Sequence, residues 1–229
     1  MRDAEKVAAR PSVAGPDAVV PEYHRPLLAP LTDSIRQLVD ATVRTEVDDD
    51  ELRRAHREIA AIAARLQARQ MPGSYGQRVA AGSARFWGNP VVGVRNAIAP
   101  PLVIEYDDSG RVSAEFHLGA AYEGPSGLVH GGVSALLLDQ ILGDAAAAGG
   151  KPGMTGTLTL RYRRGTPLGT LRAEGWIERV EGFKTFVAGH LVDADGPTVE
   201  AEGIFVVPRW ARGEAGSREW GQAMPDRFA

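Results

Sequence analysis

Hydrophobic spacing changes character along the chain. Helical periodicity predicts one helix over Leu31–Val47 and a second over Asp48–Gln70, which places Leu52, Ile59, Ile62 and Leu66 near one face. Asp48, Asp49 and Asp50 open the second helix, where negative charge complements the positive end of the dipole. Further on, Ser126 to Gly150 reads SGLVHGGVSALLLDQILGDAAAAGG. A glycine turn there leads into a stretch that is apolar almost all the way round, and a helix without a polar face is one that a domain wraps around. Elsewhere the period is two. Strands are predicted at Leu102–Tyr106, Val112–Leu118, Thr155–Arg163, Thr170–Val180, Lys184–Val192 and Thr198–Val207, with turns at Asp107-Asp108-Ser109-Gly110 and Asp193-Ala194-Asp195-Gly196. In the third strand the alternation sends Leu158, Leu160 and Tyr162 to one face, and Thr155, Thr157, Thr159, Arg161 and Arg163 to the other.

Two strands, one buried helix and four strands make an α+β chain, for which an antiparallel sheet curled around its helix is the economical architecture. The main domain is expected over 89–210. Before it come a poorly ordered arm (1–26), a helical decoration with solvated Arg and Glu (27–70) and a Gly- and Pro-rich connector (71–88). An apolar patch, Phe86, Trp87, Val91, Val92 and Val94, runs from the connector into the domain, either packing on the core or serving a binding role. Residues 211–229 are expected to be a tail.

Composition narrows the function classes. Of 229 residues 44% are hydrophobic, enough for a sizeable core. A net charge of −3, with the cations not gathered into one run, argues against nucleic acid as a partner. The absence of cysteine excludes thiol catalysis, disulfides and Cys-ligated metals. With no membrane span and no apolar signal core, the expected location is the cytoplasm.

Two features of the central helix suggest chemistry. Gly131 and Gly132 fall at its first turn, where N–H groups lack partners and no Cβ obstructs a ligand carbonyl, so an oxyanion is favoured there. Asp139 sits in sequence among Leu137, Leu138, Ile141 and Leu142, and a carboxylate buried among them needs a partner or a role. Both features also have plain structural readings, as an entry turn and as an Asp bonded to a nearby loop. Gly132 and Asp139 are about 10 Å apart along one helix at roughly 1.5 Å per residue. If both act on one carbonyl, they come from different chains, and the site lies at a dimer interface.

The HGG turn, the aspartate nine residues after its histidine and the strand MTGTLTLRYRRGTPLG together resemble the hot-dog superfamily. The similarity is to its acyl-CoA thioesterases of the phenylacetate-pathway type, over roughly Asn89 to Pro208. The resemblance implies a six-stranded antiparallel sheet around one long helix, a homodimer or a dimer of dimers, and hydrolysis of an acyl-CoA in lipid metabolism, with no metal and no cofactor beyond the coenzyme A of the substrate. It assigns the oxyanion amide to Gly132, the base or nucleophile to Asp139 of the facing subunit, water placement to Thr155 and turn geometry to His130, with Gly131 beside the substrate. Coenzyme A phosphates need cations, and the candidates are Arg161, Arg163, Arg164 and Lys184. Relatives run Tyr-Arg-Pro or Tyr-Lys-Pro where this chain has Tyr162-Arg163-Arg164, with Pro167 displaced. An apolar tunnel lined by the helix and by Phe86 and Trp87 would suit medium or long acyl chains. Three other readings stay open: a non-catalytic acyl-CoA-binding module, a thioesterase acting on acyl carrier protein, and a hydratase, against which no second histidine sits near Asp139, His117 preceding the helix and His190 lying on a later strand.

Overall fold

The computed structural model describes residues 19–20, 25–70, 78–79, 87–100 and 102–212. Most of the expected arm and connector, Phe86 and nearly all of the expected tail lie outside them. The two-residue strands β1 (Val19–Val20) and β2 (Arg78–Val79) pair in parallel, joining the segments read as arm and connector. Helix α1 spans Arg25–Arg44 and α2 spans Asp49–Gln67. Helix α1 starts earlier than the periodicity indicated and takes in Pro26 and Pro30. Pro26 fits a first turn, where its missing N–H has no partner to lose. The two helices part at 45–48, where the Asp48 carboxylate accepts from the Glu51 N–H at 2.9 Å and caps α2.

Six strands form one antiparallel sheet: β3 (Glu105–Tyr106), β4 (Val112–Leu118), β5 (Met154–Tyr162), β6 (Gly169–Glu181), β7 (Lys184–Asp193) and β8 (Gly196–Val206), in the order β3-β4-β6-β7-β8-β5. Between β4 and β5 the chain crosses the sheet as α3, Gly131–Ala148. This is the expected hot-dog arrangement, with β5 at one edge. The first strand is shorter than predicted, since Leu102 and Ile104 are buried in the core without joining the ladder.

Helix α3 turns Leu137, Leu138, Ile141, Leu142, Ala145 and Ala146 into the core. It lies close because the sheet beneath it lacks side chains at three points. A Cβ on Gly175 of β6 would come 2.9 Å from Ile141 Cγ2, one on Gly189 of β7 2.8 Å from Leu142 Cδ2, and one on Gly203 of β8 3.1 Å from Leu142 Cδ1. Gly175 and Gly189 are paired across the β6–β7 ladder, so the floor is continuous.

The polar attachment of helix α1 to the 93–99 loop comes from one side chain. The Arg36 guanidinium donates to the carbonyls of Ala99 (2.9 Å), Asn96 (2.9 Å) and Gly93 (3.3 Å). Trp87, expected among the tunnel-lining residues, is buried in a small separate cluster with Leu28 of α1. Val91 and Val92 join the main core, which settles their part of the apolar patch as packing. Helix α2 buries none of its residues.

At the other side of the domain Arg164, just after β5, donates from both terminal nitrogens to the Asp193 carboxylate and also to the Gly196 carbonyl, tying that loop to the β7–β8 hairpin. The hydrogen bond from Arg164 holds the Asp193 carboxyl down at about 2. A carboxyl lowered in the folded state from about 3.9 in the unfolded chain stabilises the fold above that value and loses its effect as pH falls through the folded pKa. Asp193→Asn is therefore expected to lower the urea midpoint at pH 6, with the gap to wild type closing between about pH 4 and pH 2. Gly189→Val places a Cβ 2.3 Å from the Glu174 carbonyl oxygen and against Leu142. Its expected cost is about 3 kcal/mol or more of unfolding free energy, read from urea titration.

Candidate active site

The turn entering α3 is built around His130. Its ring caps the helix, Nδ1 accepting from the Gly132 N–H at 3.0 Å. As an acceptor Nδ1 carries no proton, so the neutral ring is protonated on Nε2. This corrects the expected role of Gly132. Its N–H, expected to face a substrate carbonyl, is already spent on the histidine. The Val133 and Ser134 N–H groups both bond to the His130 carbonyl. Among the described residues no acceptor faces the Gly131 N–H, which makes it the open donor of the turn.

Asp139 is half-buried. Leu137, Leu138, Ile141 and Leu142 point into the core on the other side of α3, so the expected burial of the carboxylate among them is not found. It lies on the stripe that includes Gly132 and Leu136, both exposed. Thr155 of β5 donates its hydroxyl to Asp139 Oδ1 at 2.8 Å within the same chain. Simple alternation would turn Thr155 away from α3. A β-bulge at Gly156 corrects that: Thr155 pairs with Phe205 and Thr157 with Ile204, so two residues of β5 advance the register by one. Phe205 packs beneath α3 against Gly143, and Thr155 opposite it shares its face. A Cβ on Gly156 would meet Val206 Cγ2 at 3.0 Å, which is why glycine occupies the bulge.

The predicted cations do not form one cluster. Lys184 pairs in register with Val206, which pairs with Met154 at the start of β5. Arg161, Arg163 and Arg164 lie at its other end, about 25 Å away at roughly 3.3 Å per residue. Arg163 bonds to the Glu200 carboxylate at 2.5 Å and, through that bond chiefly, lowers the Glu200 pKa. Arg164 is held by Asp193. Among the described residues Arg161 and Lys184 find no side-chain hydrogen-bond partner. His190 lies on the outer face of the sheet, 3.4 Å from Glu174 and edge-on to Trp176, while its neighbour Gly189 faces α3. His117 is exposed on β4. Neither histidine approaches Asp139.

Two features were not singled out in the sequence. The Tyr162 hydroxyl, at the far end of β5 from Thr155, donates to the Gly131 carbonyl at 2.8 Å. Alternation puts Tyr162 on the same face as Leu158 and Leu160, which was the available signal. The second is a buried carboxylate on α3, Asp144, which accepts from the Tyr106 hydroxyl at 2.9 Å and from Gln140 Nε2 at 2.6 Å. Gln140 in turn accepts from Asn89 Nδ2 at 3.0 Å, and Asn89 Oδ1 holds the N–H groups of Val91 and Val92. The Gln140–Asp144 spacing of i, i+4 was visible, but the partners on β3 and on the loop at Asn89 were not. An open cleft of about 690 Å³ between α1 and the sheet, lined by Arg36, Asp40, Arg44 and His117 among others, contains none of the residues of the α3 stripe.

Comparison with known proteins follows this geometry. A family model described as "Thioesterase superfamily" matches residues 126–200, which include the HGG turn, Asp139 and all of β5. A curated acyl-coenzyme A thioesterase, THEM4 of Bos taurus, is 29% identical over 108 residues, 46% of this chain and 44% of that protein. The Xenopus laevis protein of the same name is 33% identical over 101 residues, 42% and 45% respectively. The chain thus spans less than half the length of these two relatives. A crystal structure of a thioesterase superfamily protein is 41% identical and superposes with a TM-score of 0.71, covering 78% of this chain and 90% of that one. With the fold, the HGG turn and a relative of this identity along most of its length, the chain belongs to the thioesterase superfamily.

Proposed function

We propose that the protein hydrolyses acyl-CoA thioesters to a free acid and coenzyme A at a site shared by two copies of the chain. The observation that carries this reading is the Thr155–Asp139 hydrogen bond, created by the bulge at Gly156 and presented on an uncovered stripe of α3. A bulge that aims a hydroxyl at a carboxylate is a costly local feature with a specific geometric result. Curated relatives named as acyl-coenzyme A thioesterases support the substrate class.

In this mechanism the thioester carbonyl lies against the Gly131 N–H of one protomer. The peptide linking Gly131 to Gly132 is held at both ends, its carbonyl by Tyr162 and its N–H by His130, so the turn is pre-shaped before charge develops. Asp139 and Thr155 of the other protomer face the carbonyl carbon. Thr155 uses its proton on Asp139 Oδ1, which leaves Oδ2 free as base and the hydroxyl lone pairs free to accept from water. Water attacks the carbonyl carbon as its proton passes to Asp139. The tetrahedral intermediate collapses with cleavage of the C–S bond, and the proton goes to the leaving sulfur.

Antiparallel pairing of the exposed β5 edges gives this arrangement its symmetry. Two hydrogen bonds, Tyr162 to Gly131 and Thr155 to Asp139, align β5 antiparallel along α3. Reversing a second β5 beside the first brings the Gly131 end of one chain to the Asp139 end of its partner. Arg161 and Lys184, far apart in one chain, then flank the same site and supply cations for the coenzyme A phosphates. Leu136, 40% exposed between Gly132 and Asp139, gives an aliphatic acyl group an apolar wall, favouring medium or long chains.

Assays of thiol release across acyl-CoAs from short to long chains test the reading. Asp139→Asn is expected to lower kcat by about 10²–10⁴ with the thermal midpoint retained, since Asn keeps the shape but not the basicity. Absence of turnover by the wild type, with coenzyme A still bound, would replace hydrolysis with the binding-module reading. Tyr162→Phe is expected to lower kcat about tenfold with KM within a factor of two, because the clamp acts on the turn that stabilises developing charge. Equal losses in stability and in substrate affinity would instead make Tyr162 a packing residue.

A further inference from the structure

Helix α2 is nineteen residues long and buries nothing, yet its apolar positions are ordered. The large aliphatic residues Leu52, Ile59, Ile62 and Leu66, with Ala55, follow a spacing of three, four, three and four, the seam of a coiled coil, and only the small Ala60, Ala61, Ala63 and Ala64 lie beside it. Leu52 is 45% exposed, Ile59 38%, Ile62 44% and Leu66 48%. An isolated helix of this length is marginal in water, so such a seam implies a partner.

We infer that this partner is the α2 of a second copy, packed antiparallel about a two-fold axis near Ile59. The charges select both the occupant and the direction. Asp48, Asp49, Asp50 and Glu51 crowd the N-terminal end, which stays net negative although Arg53 pairs with Asp49 and Asp50 and Arg54 with Glu51, while Arg65 and Arg69 follow at the C-terminal end. Antiparallel packing sets each acidic end beside the basic end of the other helix and opposes the two dipoles. Parallel packing would set two net-negative ends side by side and align the dipoles. Read in reverse the seam falls within one residue of its own register, with Leu52 against Leu66, the small Ala55 level with Ala63 and beside Ile62, and Ile59 meeting its own copy. Glu51 and Arg65 flank the seam at positions that face each other in an antiparallel pair. The inference rests on α2 alone and is independent of the reaction.

Because the chain contains no cysteine, engineered thiols report the pairing directly. The full-length Leu52→Cys/Leu66→Cys double variant is oxidised mildly at low micromolar concentration and run on a non-reducing gel. Within one helix these positions are about 21 Å apart, too far for an internal disulfide. The expected result is a covalent dimer from the double variant and at least tenfold less from Leu52→Cys alone. Adding Ile59→Arg to the double variant is expected to reduce the dimer at least tenfold. No covalent dimer from the double variant, a comparable amount from Leu52→Cys alone, or a yield indifferent to Ile59→Arg would each overturn the inference.

Discussion

The contact between α3 and its sheet sets the terms for everything else in this domain. Ile141 and Leu142 descend onto Gly175, Gly189 and Gly203, three positions on neighbouring strands where any side chain would collide with the helix or its own sheet. Close-packed interiors tolerate such interference poorly. The missing side chains let an apolar helix lie nearly flush with the backbone of β6 and β7. That depth fixes the rotation of α3, and with it which residues remain on the outer stripe. Gly132, Leu136 and Asp139 reach the surface because Leu137, Leu138, Ile141 and Leu142 cannot turn elsewhere.

The edge strand completes what the helix begins. β5 touches α3 through two well-separated hydrogen bonds, one at each end of the segment they share. Between them the strand is largely exposed on both faces, and among the described residues its outer edge has no neighbouring strand. An exposed sheet edge invites pairing with another strand. The same strand therefore carries the hydroxyl that orients Asp139, the hydroxyl that steadies the HGG turn, and the edge on which a second protomer can align. In the proposed dimer chemistry and assembly draw on one element, and two copies of it running in opposite directions bring Arg161 of one chain toward Lys184 of the other.

Most of the architecture could be read from hydrophobic period. The long strands β4, β6, β7 and β8 fell within a few residues of prediction because each has one face on α3, so alternation was enforced by burial. The position of Asp139 relative to His130 was also legible, being a matter of spacing along one helix. Three features escaped. The bulge at Gly156 shifts parity by one residue, and a lone glycine in a strand does not announce on which side the next side chain emerges. The capture of the Gly132 N–H by His130 depends on a ring rotamer. The Asn89–Gln140–Asp144–Tyr106 network joins residues from three separate parts of the chain, and its two carboxamides look like ordinary polar positions until the fold brings them together.

The attachment of α1 has a consequence for how this region can change over time. Arg36 grips the 93–99 loop entirely through main-chain oxygens, those of Gly93, Asn96 and Ala99. Carbonyl groups are present whatever side chain a residue bears, so a single guanidinium recognises the path of the loop rather than its composition. Substitutions at an exposed position such as Ile98 can therefore accumulate without loosening the helix, whereas a one-residue insertion, which leaves the composition nearly untouched, would move the acceptors out of reach. The joint is permissive toward substitution and strict about length.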